Sequence, residues 1–342
     1  MRLLVCVILI VCVKSIQGDR YRKRMANFWW PFGCFVYGVP VSDEPTDRVQ
    51  FEDEELSQVN FMLFTKTSTS ELMLDDDQSF VSSNFDSNLP VRILIHGWQN
   101  NRTDTMIQVI KDAFLERKNK GYNIIGVDWG VYAKDLNYPI VALQIVPQIG
   151  FRVARFITSL VQKQKVPLRN IQLIGHSLGA QVAGFAGQYL IESKLGKLSV
   201  IVGLDPALPF FEDTPANRHL DVTDAKYVEV IHTAAGCKGM NSQIGTADFY
   251  PNYSRWQHKQ PGCGIDPFWQ CSHGRAYYYF AESVLSDGAF ESVRCKDFEE
   301  MYNEKCDKSN GIGRMGGHNL RNKDLEGIYY LKTNDKSPFS LN

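Results

Sequence analysis

Between residues 60 and 235, short apolar runs rich in β-branched residues alternate with longer stretches of helical period. VNFMLFTK (59–66), VRILIHGW (91–98), YNIIGVDW (122–129), IQLIGHS (171–177), LSVIVGLD (198–205) and AKYVEVIHT (225–233) predict strands. The stretches 104–118, 148–165 and 178–193 predict helices, the second starting just after Pro147. Strand runs that are apolar on both faces and separated by helices imply an α/β fold, a mainly parallel central sheet with helices on both faces. Residues 236–272, rich in Gly, Pro and aromatics with little periodicity, predict surface loop. A helix follows over about Gly274–Leu285, and the polar, Gly-rich tail 295–342 ends in an expected edge strand at IYYLKT (328–333). No repeat, low-complexity tract or Gly/Ser linker divides the chain, so residues 33–342 are expected to form one domain.

The N-terminus breaks this pattern. MRLLVCVILIVCVKSIQG (1–18) has one Arg, an apolar run from Leu3 to Val13, then small and polar residues, which predicts a secretory signal peptide. The run is too short to span a bilayer core of about 30 Å. Residues 19–32 open with the basic DRYRKR and are expected to be a short pro-segment. Net charge is −1 with no basic run elsewhere, so nucleic acid is excluded as a partner. Removing Cys6 and Cys12 with the signal leaves Cys34, Cys237, Cys263, Cys271, Cys295 and Cys306, an even number that predicts three disulfides in a secreted chain. Six cysteines allow 15 pairings, and spacing does not choose among them. Sequons at Asn101 and Asn252 mark candidate glycan sites.

IQLIGHSLGAQVAGFAG (171–187) contains G-x-S-x-G at Gly175, Ser177 and Gly179, between a predicted strand and a helix with small residues at Ala180, Ala183, Gly184 and Gly187. That context is the strand-to-helix elbow that presents a serine at the top of an α/β sheet. A serine hydroxyl needs a base to take its proton, and the base needs an acid to hold its tautomer. The expected order is Ser, then acid, then His. Candidate acids are Asp205, Asp221, Asp224 and Glu229, and position at a strand's C-terminal end favours Asp205. Candidate bases are His219, His232, His258, His273 and His318, and spacing leaves all five open. An oxyanion would be held by the Leu178 amide after the nucleophile and by Trp98 of the HGW turn. His96 and His176 flank these turns and are expected to serve local packing.

IHGW (95–98), VDW (127–129), IGHSLGA (174–180), GLDPA (203–207), DAKYVEVIHT (224–233), DFYPN (248–252), QPGC (260–263) and CSHGRA (271–276) together resemble the animal lipase family. That family includes pancreatic, lipoprotein and hepatic lipases, secreted phospholipases A1 and insect yolk proteins. The resemblance covers roughly residues 33–335 and implies an α/β-hydrolase fold. It makes His273 the base, with Ser177 as nucleophile and Asp205 as orienting acid. It also implies the pairs Cys263–Cys271 and Cys295–Cys306, leaving Cys34–Cys237 by elimination. In yolk proteins the nucleophilic serine is lost, whereas Ser177 is present, which argues against a purely storage role. The family's structural calcium site corresponds to TPANRHLDVTDAK (214–226), with carboxylates from Asp221 and Asp224 and carbonyls from Ala216 and His219.

Two departures from that resemblance shape the expected function. Pancreatic-type members continue into a C-terminal β-sandwich, but 342 − 273 = 69 residues follow His273, so neither that domain nor colipase is expected. The lid, long and helical in triacylglycerol lipases, is GIDPFWQ here. Within the family a short lid accompanies phospholipase A1 activity, so release of the sn-1 acyl chain from phospholipids at a membrane or lipoprotein surface is expected. Triacylglycerol hydrolysis is the alternative, and non-catalytic lipid binding the alternative of another class. Hydrolysis requires no cofactor for its chemistry. Phe268, Trp269, Tyr253 and Trp256 are candidate interfacial contacts.

Overall fold

The computed structural model describes residues 56–341 apart from 75, 119–120, 255–258 and 321–322. The expected signal peptide, the 19–32 segment, Cys34, Trp256 and His258 lie outside the described residues.

Among the described residues eleven strands form one sheet, in the order β10-β9-β11-β8-β7-β6-β5-β3-β4-β1-β2. They are β1 (Asn60–Phe64), β2 (Thr69–Leu72), β3 (Val91–Ile95), β4 (Asn123–Asp128), β5 (Ile171–His176), β6 (Leu198–Leu204), β7 (Ala225–Ile231), β8 (Ala247–Pro251), β9 (Glu291–Cys295), β10 (Ile312–Arg314) and β11 (Gly327–Leu331). From β4 through β3, β5, β6, β7 and β8 to β11 every pairing is parallel. Antiparallel strands close both ends, β1 and β2 beside β4, β9 and β10 beside β11. The predicted edge strand therefore sits inside the sheet: β11 pairs with β8 on one side and β9 on the other. β8 also arises in a stretch read as loop, because ADFYP is buried throughout by neighbours on both sides rather than marked by alternation.

Four long helices cover the sheet: α1 (Thr105–Glu116), α2 (Val146–Gln162), α3 (Leu178–Glu192) and α4 (Gln270–Leu285). β3 shows why the central strands carry no polar face: Ile93 and Ile95 join one core cluster with Phe156 and Val182, while Leu94 joins the other with Ile107, Phe114 and Phe280. Alternate residues thus pack beneath α2 and α3 on one side and α1 and α4 on the other. A short helix (Tyr138–Ile140) and a π-helical turn (Val141–Ile145) lead directly into α2. The combined run is apolar and long enough to cross a bilayer by composition alone, but half of it is buried in the protein.

The connections after β3 and β5 leave in opposite directions, β3 to β4 on one side and β5 to β6 on the other. In such sheets the crevice at the strands' C-terminal ends, where the order reverses, is where ligands bind. HGW follows β3 and Ser177 follows β5 at that point.

Candidate active site

Ser177 joins β5 to α3 with φ 57° and ψ −123°, a strained conformation for a residue with a side chain. The turn is possible because its flanking glycines touch backbone. A Cβ on Gly175 would lie 2.1 Å from Gly179 O, and one on Gly179 would lie 2.1 Å from Ile95 O. A Cβ on Gly97 would meet Ser177 Cβ at 2.9 Å, so the HGW turn lies directly against the elbow. Ser177 N donates to Leu204 O (3.0 Å) and Ala207 N donates to Ser177 O (3.2 Å), tying the elbow to the end of β6.

Asp205 follows β6 with φ 45° and is fully buried. Its Oδ1 accepts from Thr233 N (2.7 Å) and Ala234 N (2.9 Å), beyond β7. Its Oδ2 lies 2.5 Å from His273 Nδ1, so Nδ1 carries the proton and Nε2 is left as the basic atom. Ser177 Oγ makes no hydrogen bond among the described residues, an open arrangement of the kind that tightens when substrate arrives.

His176, adjacent to Ser177, links the nucleophile to the base. Its Nε2 donates to His273 O (3.1 Å), and the two rings are 4.4 Å apart. Burial, reinforced by the charge of His273, holds His176 well below the ordinary histidine range, so the ring stays neutral. Its Nδ1 is buried without a partner. His96 is also a packing residue: Nδ1 donates to Gly97 O (2.9 Å), Nε2 accepts from Trp129 N (3.3 Å), and the ring stacks on Trp129.

Among the described residues neither the Trp98 nor the Leu178 N–H is engaged by a backbone carbonyl. Leu178 opens α3, where the amide has no acceptor within the helix. The Trp98 indole donates to Asp135 O (2.7 Å) and meets Tyr138 edge-on at 5.0 Å, and Tyr138 lies 6.0 Å from Phe210. Together these rings make an aromatic wall beside the oxyanion turn.

His273 lies in the first turn of α4, which starts at Gln270 and not near Gly274. The early start depends on a residue that sequence reading missed. Asp266, buried within the seven-residue loop, accepts from Ser272 N (2.9 Å) and Cys271 N (3.3 Å), capping the helix from across the loop. Burial works to raise the Asp266 carboxyl, but the Ser272 and Cys271 amides hold it below its ordinary value. The loop's disulfide joins Cys263 to Cys271, and Cys295 joins Cys306. Cys237 is disulfide-bonded, while its expected partner lies outside the described residues.

Other expectations change. Asn252 is buried, its Nδ2 donating to Gln260 Oε1 (2.8 Å) and Thr333 Oγ1 (2.9 Å), so the amide nitrogen is not available to a glycan. Asn101 is exposed. Tyr253 is buried rather than interfacial, its hydroxyl donating to Asn241 Oδ1 (2.7 Å), whereas Phe268 is 78% exposed and Trp269 half-buried. Three of the four proposed calcium ligands converge on one atom: Gln188 Nε2 donates to His219 O (3.1 Å), Ala216 O (3.4 Å) and Asp224 Oδ2 (3.4 Å). Asp221 Oδ1 instead accepts from Thr223 N and Oγ1. Gln188 Oε1 is buried without a partner. The oxygens suit a hard cation once the Gln188 amide turns, which would direct Oε1 inward and the donor away.

The family model described as Lipase matches residues 32–339. The chain is 32% identical over 324 residues to "Probable phospholipase A1 magnifin" of Vespa magnifica, covering 90% of this chain and 93% of that one. It is 31% identical over 342 residues to pancreatic triacylglycerol lipase of Mus musculus, covering 90% and 71%. To phospholipase A1 of Vespula vulgaris it is 39% identical over 203 residues, covering 57% and 58%. The elbow, the acid–base pair and the match over most of the chain agree, and the chain belongs to the Lipase family.

Proposed function

We propose that this protein is a secreted phospholipase A1 that uses Ser177, His273 and Asp205. His273 Nε2 takes the Ser177 proton as the hydroxyl oxygen attacks the ester carbonyl at sn-1. The Trp98 and Leu178 amides hold the resulting oxyanion, and His273 returns the proton to the departing lysophospholipid. Water, deprotonated by His273, then attacks the acyl-serine; fatty acid leaves and Ser177 regains its hydrogen. Asp205 fixes the His273 tautomer and balances the imidazolium.

The observation that carries the choice of phospholipid is the loop between Cys263 and Cys271. It is seven residues long, and its middle is committed to capping α4 through Asp266, so it offers little cover to the crevice. A polar head group has room beside such a loop. Ile265 (95% exposed) and Phe268 (78%) project from it, and Leu136 (79%) follows the residue that accepts the Trp98 indole, which supports contact with a lipid surface. The relatives include both phospholipases A1 and a triacylglycerol lipase, which keeps triacylglycerol as the second reading. A structural calcium ion at Ala216, His219, Asp221 and Asp224 completes the proposal; it would brace α3 against the connection between β6 and β7. The apolar leader at residues 1–18 supports secretion.

The deciding experiment follows fatty-acid release from phosphatidylcholine vesicles and from a triolein emulsion. Vesicle cleavage at sn-1 with weak triolein turnover is expected. Strong triolein turnover without phospholipid cleavage overturns the substrate assignment, and no turnover of either ester overturns the enzymatic one.

A further inference from the structure

The end of the sheet opposite the reacting groups holds a second polar site. A cavity of about 160 Å³ opens there, lined by Arg92 of β3, Tyr122 before β4, Arg169 of the turn before β5, Gln172 of β5, Ser199 of β6 and Asn319. The other ends of these strands carry His96, Ser177 and Asp205, which places the cavity about 15–20 Å from the crevice at the rise of an extended chain. It faces away from the loops that meet lipid.

Its walls are built of donors and positive charge. The Tyr122 hydroxyl and Gln172 Nε2 are buried and have no hydrogen-bond partner among the described residues, in residues only 4% and 3% exposed. Burial raises the Tyr122 phenol, outweighing the charges of Arg92 and Arg117, and the Asp287 carboxylate works in the same direction as burial, so the hydroxyl keeps its proton. The Arg92 guanidinium is held 5.0 Å from the Tyr122 ring and 5.6 Å from the Phe114 ring. Its terminal nitrogens donate to Val91 O and His318 O, both at 3.1 Å. Arg169 is exposed and adds a second positive charge to the lining. Among the described residues no carboxylate lines the cavity. Buried donors without acceptors are costly, and a ligand of negative charge offers acceptors to both donors in a site of positive potential.

We propose that this cavity binds a small soluble oxyanion of the phosphate type. The volume of about 160 Å³ is ample for a tetrahedral oxyanion together with ordered water. Arginine offers planar donors matched to phosphate oxygens, and Tyr122 and Gln172 supply directed hydrogen bonds. The source is a free solute and not a lipid head group, since a membrane at the crevice does not reach this end of the sheet.

The test is calorimetric titration of the full-length protein with inorganic phosphate at constant ionic strength, beside a chloride control. Saturable phosphate binding is expected. Tyr122→Phe and Gln172→Leu are each expected to weaken it about tenfold, the effect of losing one hydrogen bond to a charged group. Turnover of a short soluble ester by each variant reports that it has folded. Heat indistinguishable from chloride, or unchanged affinity in a folded double variant, overturns the proposal. Should the double variant not fold, Arg169→Ala decides, since this exposed residue is expected to weaken phosphate binding and unchanged affinity would refute it. Competition by vesicles containing phosphatidic acid would overturn the assignment to a soluble ligand.

Discussion

Asp205 divides its two oxygens between different tasks, Oδ1 for the Thr233 and Ala234 amides and Oδ2 for His273. Asp205→Asn keeps the shape but must place its NH₂ toward one partner or the other. With Oδ1 retained as acceptor for the two amides, the NH₂ faces His273 Nδ1, which then becomes an acceptor and leaves the proton on Nε2. That tautomer cannot take the Ser177 proton, so kcat is expected to fall about 10⁴-fold with little change in KM. Ser177→Ala is expected to lose activity at least as severely. Its thermal midpoint should stay near that of the parent, because the hydroxyl has no hydrogen bond to lose among the described residues. Steady-state kinetics with a soluble ester and a thermal melt check both. Ser177 was legible because its strain demands small neighbours in sequence. His273 was not legible from spacing, since it meets Asp205 across 68 residues and five histidines satisfy the order. Only the CSHGRA resemblance selected it.

The loop from Gly264 to Gln270 acts as an element in its own right: inside it, Asp266 fixes the first turn of α4, and outside it, Ile265 and Phe268 meet solvent. These two faces give separable predictions. Asp266→Ala removes an acceptor from two first-turn amides and is expected to cost about 1 kcal/mol of stability. It should also reduce kcat toward soluble and vesicle substrates alike, because His273 rides on that turn. The cap is present above the ordinary carboxylate range and lost as pH falls below it, so Asp266→Ala should matter less in strong acid. Ile265→Glu with Phe268→Glu should instead weaken turnover on vesicles severalfold while leaving a soluble ester unaffected; equal loss on both substrates would reject the lipid-contact role. Hydrophobic pattern exposed the central strands because both their faces are buried. It missed β8 and the true start of α4, because ADFYP and CSHG owe their structure to partners elsewhere in the chain, two parallel neighbours in one case and Asp266 in the other.

On the scale of the whole molecule, the oxygen cluster around Gln188 ties α3, which begins at the nucleophile, to the connection between β6 and β7. The resemblance implies calcium ligands in the segment 214–226, yet nothing in the sequence indicates that the Gln188 amide stands among those oxygens. Burial, with the neighbouring charge of Asp221 adding to it, raises the Asp224 carboxyl to about 8 from an ordinary 3.8. The folded chain therefore binds this proton more tightly than the unfolded chain does. The stability so contributed is complete below about pH 4 and is lost as pH rises through about 8. Calcium at the cluster requires the ionised carboxylate and releases that proton, so its stabilising effect grows across the same interval. In chelator the thermal midpoint is expected to decline from pH 4 toward pH 8, and added calcium should lift it most at the alkaline end. Asp224→Asn, which resembles the protonated acid, should flatten the decline in chelator and abolish the calcium response. Melting curves across this pH range, with and without the ion, separate the outcomes: a midpoint at pH 8 unmoved by calcium would leave Gln188 Nε2 as the permanent occupant of the cluster.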